Sequence, residues 1–180
     1  MKNGLIVWLT GLSGSGKSTI ANIVIKKLKK ANVKVEIVDG DAVRNLTTRH
    51  LKYSKSDIFK NNMIISDICE EKRKYLDVII VTVIAPFKKI RKEIRDRFGK
   101  FYKEVYVKAS LETVIKRDPK GLYDKVKKGL IQDMIGFSKN VPYEIPDNPD
   151  LILDTESKNP KELVSNILDF IICNINLNVK

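Results

Sequence analysis

Two spacings of apolar residues alternate along the chain. Leu5 to Leu9 is a continuous apolar run, and Lys17 to Lys30 then carries Ile20, Ile23, Val24 and Leu28 at helical intervals. Val33 to Asp39 alternates apolar with polar, which predicts a strand ending in Asp39-Gly40-Asp41. The stretch from Asp41 to Lys55 is polar and irregular, and Ser56 is a suitable N-cap for a helix reaching Tyr75. Val78 to Ile84 is apolar throughout, the mark of a parallel strand covered on both faces. Pro86 ends it, and Lys88 to Arg97 predicts a short basic helix. Tyr102–Val107 and Leu151–Asp154 predict strands, while Leu111–Arg117 and Pro160–Ile172 predict helices. Between them, residues 118–149 lose all periodicity. Pro119, Gly121, Gly129, Gly136, Pro142, Pro146 and Pro149 leave one helical piece, Tyr123–Lys128, so this segment reads as a mobile lid rather than a core element.

Strand and helix in alternation predict an α/β fold, a doubly wound and mostly parallel five-stranded sheet. At 180 residues the chain suits one domain, 1–180, able to bury about 70% of its unfolded surface. The longest apolar run, Val78 to Pro86, spans about nine residues against the ~20 a membrane helix needs. No basic region followed by an apolar core opens the sequence, so no secretion signal is expected. Cys69 and Cys173 are far apart and form no C-x-x-C, which suits a reducing cytoplasm and argues against structural metal. The net charge of +12 raises nucleic acid as a partner, but the lysines lie in pairs on helix faces without aromatic interleaving. No nucleic acid or membrane partner is expected; the excess charge suits solvated surface and a pocket for anionic nucleotides.

One stretch carries the chemistry. Gly11-Leu-Ser13-Gly14-Ser15-Gly16-Lys17-Ser18-Thr19 follows a predicted strand and opens a predicted helix, the context that makes G-x-x-x-x-G-K-S a phosphate-binding P-loop. Its backbone N–H groups and the helix N-terminus would hold phosphate, Lys17 would neutralise the β- and γ-phosphates, and Ser18 would ligate Mg²⁺. The fold then becomes a three-layer sandwich of the P-loop nucleotide-kinase type. Ligands belong at the C-terminal ends of the strands, where Gly11, Asp39, Pro86 and the lid converge. No Asn-Lys-x-Asp guanine-reading motif occurs, which argues against a GTPase.

Further strings narrow the choice: Asp39-Gly40-Asp41-Ala42-Val43-Arg44, Ile84-Ala85-Pro86-Phe87, Arg117-Asp118-Pro119-Lys120-Gly121-Leu122-Tyr123, Pro142-Tyr143-Glu144 and Leu153-Asp154-Thr155. In this order and spacing they resemble the adenylylsulfate (APS) kinases over nearly the whole chain. The resemblance implies a cytoplasmic, homodimeric phosphotransferase that moves the ATP γ-phosphoryl to a nucleotide 3′-hydroxyl with Mg²⁺. It also implies site residues. Asp39, with Lys17, would be catalytic, as base or orienter, and would reach the metal shell with Ser18, Asp39 doing so through water. Asp41, Arg44, Asn61 and Lys120 match acceptor- or phosphate-contacting positions, and Arg117, Lys120 and Leu122 belong to the lid. Ile84, Ala85 and Pro86 would lie along the acceptor. His50 matches no role.

The departures from that family cluster at the acceptor's base. Ile58 stands where the family has an arginine, and Asn62-Met63-Ile64 replaces a stretch holding two more. The aromatic pair that sandwiches adenine is Tyr53 on one side and Met134 on the other, with Phe137 able to substitute only by a shift in register. Ala85 replaces a serine beside the sulfate site, which excludes a phosphoserine there. An arginine and an aromatic face together are worth about 3 kcal/mol. The expectation is therefore a 3′-kinase with a changed acceptor, cytidine diphosphoramidate of capsule phosphoramidate assembly, whose phosphoramidate is isosteric with sulfate. The alternatives are an adenylylsulfate kinase, a nucleotide-binding module without catalysis, and a kinase of polynucleotide ends.

Overall fold

A computed structural model describes residues 3–47, 51 and 54–178. Five strands, β1 (Leu5–Thr10), β2 (Val35–Asp39), β3 (Val78–Thr82), β4 (Tyr102–Lys108) and β5 (Leu151–Asp154), form one sheet in the order β2-β3-β1-β4-β5, all parallel. Every residue of β1 and β3 is buried, as a strand covered on both faces requires. Alternate side chains sort the core into two layers. Leu5, Val7 and Leu9 face α1 (Lys17–Lys30) and α7 (Pro160–Asn178), packing on Val24, Leu28, Val164 and Ile167. Ile6 and Trp8 face α3 (Lys55–Lys72) and α4 (Lys88–Phe98), packing with Ile65, Cys69, Ile90 and Phe98. Among the described residues, no helix is long and apolar enough to cross a membrane.

Several boundaries differ from the sequence-based expectation. The polar stretch after Asp39 begins with a short helix, α2 (Gly40–Leu46), because the Asp39 carboxylate accepts from the Asp41 and Ala42 backbone N–H groups at 3.0 Å and caps it. The cap of α3 is Ser54, not Ser56: the Ser54 hydroxyl accepts from Asp57 N–H at 3.1 Å. Strand β3 stops at Thr82, before Ile84.

The segment after α5 (Leu111–Arg117) is less loose than its glycines and prolines suggest. Asp118, in a left-handed conformation (φ 21°), accepts from the N–H groups of Tyr123 and Asp124 and starts α6 (Leu122–Lys127). Met134, Ile135 and Val141 are buried, and the Glu144 N–H donates to the Pro86 carbonyl at 2.8 Å. The physical reason is apolar content. Those side chains, spaced between the prolines, join the two clusters beside the sheet instead of lying in water.

Candidate active site

Strand β1 ends at the point where the strand order reverses, so the loop after it opens at the sheet's C-terminal edge. Its glycines are needed for two separate reasons. Gly16, the residue before α1, is left-handed at φ 103°, where a side chain is strained. Gly11 runs so close to β4 that a Cβ would stand 2.4 Å from the Val107 carbonyl oxygen. Inside the loop, the Lys17 ammonium donates to the carbonyls of Gly11 and Leu12 at 2.8 Å each. Its burial lowers the pKa to about 7, a shift opposed by the charges of Asp41 and Asp39 and reinforced by Lys120. The Ser15 hydroxyl is buried without a hydrogen-bond partner. An enclosed cation beside an unmatched hydroxyl fits an anion such as a nucleotide phosphate.

A cavity of about 660 Å³ lies against this loop. Its floor is Ser13, Gly14, Gly16, Lys17, Ser18 and Thr19; Asp39 and Asp41 come in from the β2–α2 junction. Asp39 is the most constrained of these groups. One carboxylate oxygen caps α2, and the other accepts from the Thr82 hydroxyl at 2.6 Å. Thr82 was not among the residues singled out from the sequence. The signal was there: it is a hydroxyl at the C-terminal end of an apolar strand, and register sets it directly beside Asp39.

Opposite the floor, Pro119, Lys120 and Leu122 close one side, with Lys120 ion-paired to Asp41 across the cavity. Ile84, Ile131, Asp133, Met134 and Ile135 make the far wall. Ile131, Asp133 and Ile135 also escaped the sequence reading, because nothing local distinguishes them from the rest of that segment.

Other expected site residues fall elsewhere. Ile58 does not line the cavity; it is 1% exposed and packs in the core cluster with Val38 and Ile65. An aliphatic side chain at that point of α3 turns into the core. Phe137 also lies away from this wall. Its ring meets Tyr123 edge-on at 5.9 Å and lines a separate cavity of about 480 Å³ beside Tyr106 and Tyr143. Ala85 and Pro86 are buried behind Ile84. Arg44 donates to the Leu51 carbonyl at 3.2 Å, and Asn61 is buried on α3. Arg117 grips Thr155 through the hydroxyl at 2.9 Å and the carbonyl at 2.8 Å, tying α5 to the end of β5. Tyr53 and His50 lie outside the described residues.

A phosphate-holding loop, a fixed carboxylate and a facing cation around one cavity suit phosphoryl transfer to a hydroxyl. Comparison with known proteins makes this specific. The model of the family described as adenylylsulphate kinase matches residues 3–154. The chain belongs to the adenylylsulphate kinase family. It is 38% identical over 177 residues to the adenylyl-sulfate kinase of Clostridium kluyveri, covering 97% of this chain and 86% of that one. The Picosynechococcus adenylyl-sulfate kinase is 38% identical over 165 residues, with 92% of each chain covered. The Mycobacterium tuberculosis APS kinase, solved in complex with AMPPNP and APS, superposes with a TM-score of 0.86 at 31% identity, over 94% of this chain and 98% of that one. A gluconokinase from Sinorhizobium meliloti shares the fold alone, at 15% identity and a TM-score of 0.63.

Membership in this family of adenylylsulphate kinases makes the protein a phosphotransferase with a hydroxyl acceptor, working with ATP and Mg²⁺. The residues present fit that ion. No cluster of three or more His, Cys, Asp or Glu that could hold a metal occurs among the described residues. Mg²⁺ in such sites keeps several waters and needs one or two protein groups beside phosphate oxygens; the Ser18 hydroxyl and, through water, Asp39 are the groups that would hold it here.

Proposed function

We propose that this chain transfers the γ-phosphoryl group of ATP to the 3′-hydroxyl of adenylylsulfate. The observation that carries the reading is the placement of Asp39, held by three hydrogen bonds, on the same cavity as Lys17 and Ser18. Relatives named adenylyl-sulfate kinase, similar over almost the full length, support adenylylsulfate over the cytidine diphosphoramidate expected from the altered base-contacting residues. The acceptor oxygen attacks the γ-phosphorus, the bond from that phosphorus to the β–γ bridging oxygen breaks, and Asp39 orients the hydroxyl and takes its proton. Lys17 offsets the charge spreading over the transferred group, and Mg²⁺, which Ser18 and Asp39 would hold, would supply further charge neutralisation.

One observation favours the second reading, a pyrimidine acceptor. Among the described residues lining the cavity none is aromatic, and the wall is Ile84, Ile131, Met134 and Ile135. Turnover of adenylylsulfate and of cytidine diphosphoramidate, each with ATP and Mg²⁺, separates the two. A higher kcat/KM for adenylylsulfate is expected, and the reverse order replaces the first reading by the second. We further read the 180 residues as one kinase domain, cytoplasmic and working as a homodimer. The hexameric APS kinase from Thiobacillus denitrificans is 26% identical with a TM-score of 0.66, over 93% of this chain and 28% of that one, so sedimentation equilibrium is the measurement that decides the assembly.

A further inference from the structure

Arg91 lies on α4, outside the cavity, and is 2% exposed. A guanidinium so enclosed must have its charge and its donors met by the fold. Glu104 on β4, itself buried, supplies the charge through an ion pair at 2.8 Å from Arg91 Nε, a contact without hydrogen-bond alignment. The two outer nitrogens do something else. One donates to the Ala85 carbonyl at 2.7 Å, and the other to the Glu144 carbonyl at 2.8 Å.

Neither residue lines the cavity, but Ala85 directly follows its Ile84, and Glu144 ends the segment that supplies its Ile131, Asp133, Met134 and Ile135. Ala85 is left-handed at φ 44°, a conformation a non-glycine residue keeps only where its surroundings hold it. It directly follows Ile84, which lines the cavity, and stands three residues after Thr82, the partner of Asp39. Glu144 closes the returning segment that carries Met134 and Ile135. Its N–H donates to the Pro86 carbonyl at 2.8 Å, and its carboxylate accepts from Lys88 N–H at 2.7 Å. The Thr10 hydroxyl donates to the Ile84 carbonyl and so receives the Tyr143 hydroxyl at 3.0 Å. A planar fork is suited to this task because it can meet two carbonyls and a carboxylate at once; a lysine ammonium has no such fixed geometry.

We propose that Arg91 is a positioning residue for the acceptor nucleotide, clamping the Ile84–Pro86 loop to the Tyr143–Glu144 segment so that both faces of the acceptor wall keep one spacing. This rests on the reading that the acceptor lies against that wall. It makes acceptor affinity depend on a residue that touches no substrate.

The test is steady-state kinetics of Arg91→Lys on the full chain, with melting temperature read alongside. The expected result is a rise of at least tenfold in KM for the acceptor while KM for ATP stays within twofold. Equal rises in both constants, or an unchanged acceptor KM in a folded protein, overturn the proposal. Should Arg91→Lys fail to fold, the double variant Arg91→Met with Glu104→Gln removes the clamp without stranding a buried charge, and the same split is required of it. Failure of both to fold makes Arg91 a core residue only and overturns the proposal too. The comparison is made on whichever of adenylylsulfate and cytidine diphosphoramidate the wild type turns over faster. A wild type that prefers the latter counts against the substrate reading and leaves the Arg91 test intact.

Discussion

The two walls of the cavity are built by opposite means. The phosphate side is backbone: glycines at φ 79° and 103°, a lysine held by two loop carbonyls, and a helix that begins at once. The acceptor side is side chain and long-range. Thr82, Ile84, Asp133 and Met134 come from two segments far apart in the chain, joined by Arg91 and Tyr143. A wall made of backbone tolerates little change without losing the phosphate. A wall made of side chains can be re-lined while the fold stays, and Met134, one of the departures from the family pattern, lies on it.

That contrast can be broken most severely on the phosphate side. Lys17→Ala should lower kcat by on the order of 10³-fold with either acceptor, since it removes the cation facing the transferred charge. Activity within tenfold of wild type would show that the loop binds nucleotide without serving catalysis. Asp39→Asn keeps the shape but removes the charge and the proton acceptor, and a fall of roughly 10²-fold in kcat is expected. Should KM for ATP change instead, Asp39 belongs to the phosphate wall.

Changes at positions where the chain departs from the family pattern should act more gently on chemistry. Ile58→Arg restores the family's side chain in a place that is 1% exposed, among aliphatic neighbours. It should destabilise the fold by about 3 kcal/mol, a drop of about 10 °C in Tm, because a buried cation has no partner there. An unchanged Tm with tighter acceptor binding would mean that α3 can turn this residue toward the cavity. Met134→Phe adds a stacking surface, and KM for adenylylsulfate should fall by roughly fivefold if the adenine rests on that wall.

The smallest effect concerns protons. Burial holds the Lys17 pKa at about 7. A bound phosphate favours the charged form and raises it, so nucleotide binding takes up a proton wherever the free protein lacks one. Calorimetry in buffers of different ionisation enthalpy should register a proton uptake that is small at pH 6 and grows as pH rises through about 7 to pH 8. Uptake that does not grow with pH would mean that the lysine is charged throughout.

Much of the site was legible before the fold was known. Of the Gly11–Thr19 loop, Ser13, Gly14, Gly16, Lys17, Ser18 and Thr19 line the cavity, and so do Asp39, Asp41, Lys120 and Leu122. What misled was chemistry judged position by position. Ile58 and Phe137 matched acceptor positions in order along the chain, yet one turns into the core and the other onto Tyr123. Residues 118–149 looked like mobile lid because their glycines and prolines dominate the local signal, while burial of Met134, Ile135 and Val141 depends on neighbours contributed from elsewhere.

Sequence alone determined the phosphate loop, the parallel sheet and the carboxylate at the end of β2. Each is written in a run of fewer than about twenty residues, within which backbone conformation and hydrophobic period act locally. The acceptor wall was decided only by the tertiary structure. Arg91 meets Glu144 across 53 residues and Thr10 meets Tyr143 across 133, and no local propensity encodes which side chains such distant segments will turn toward one another.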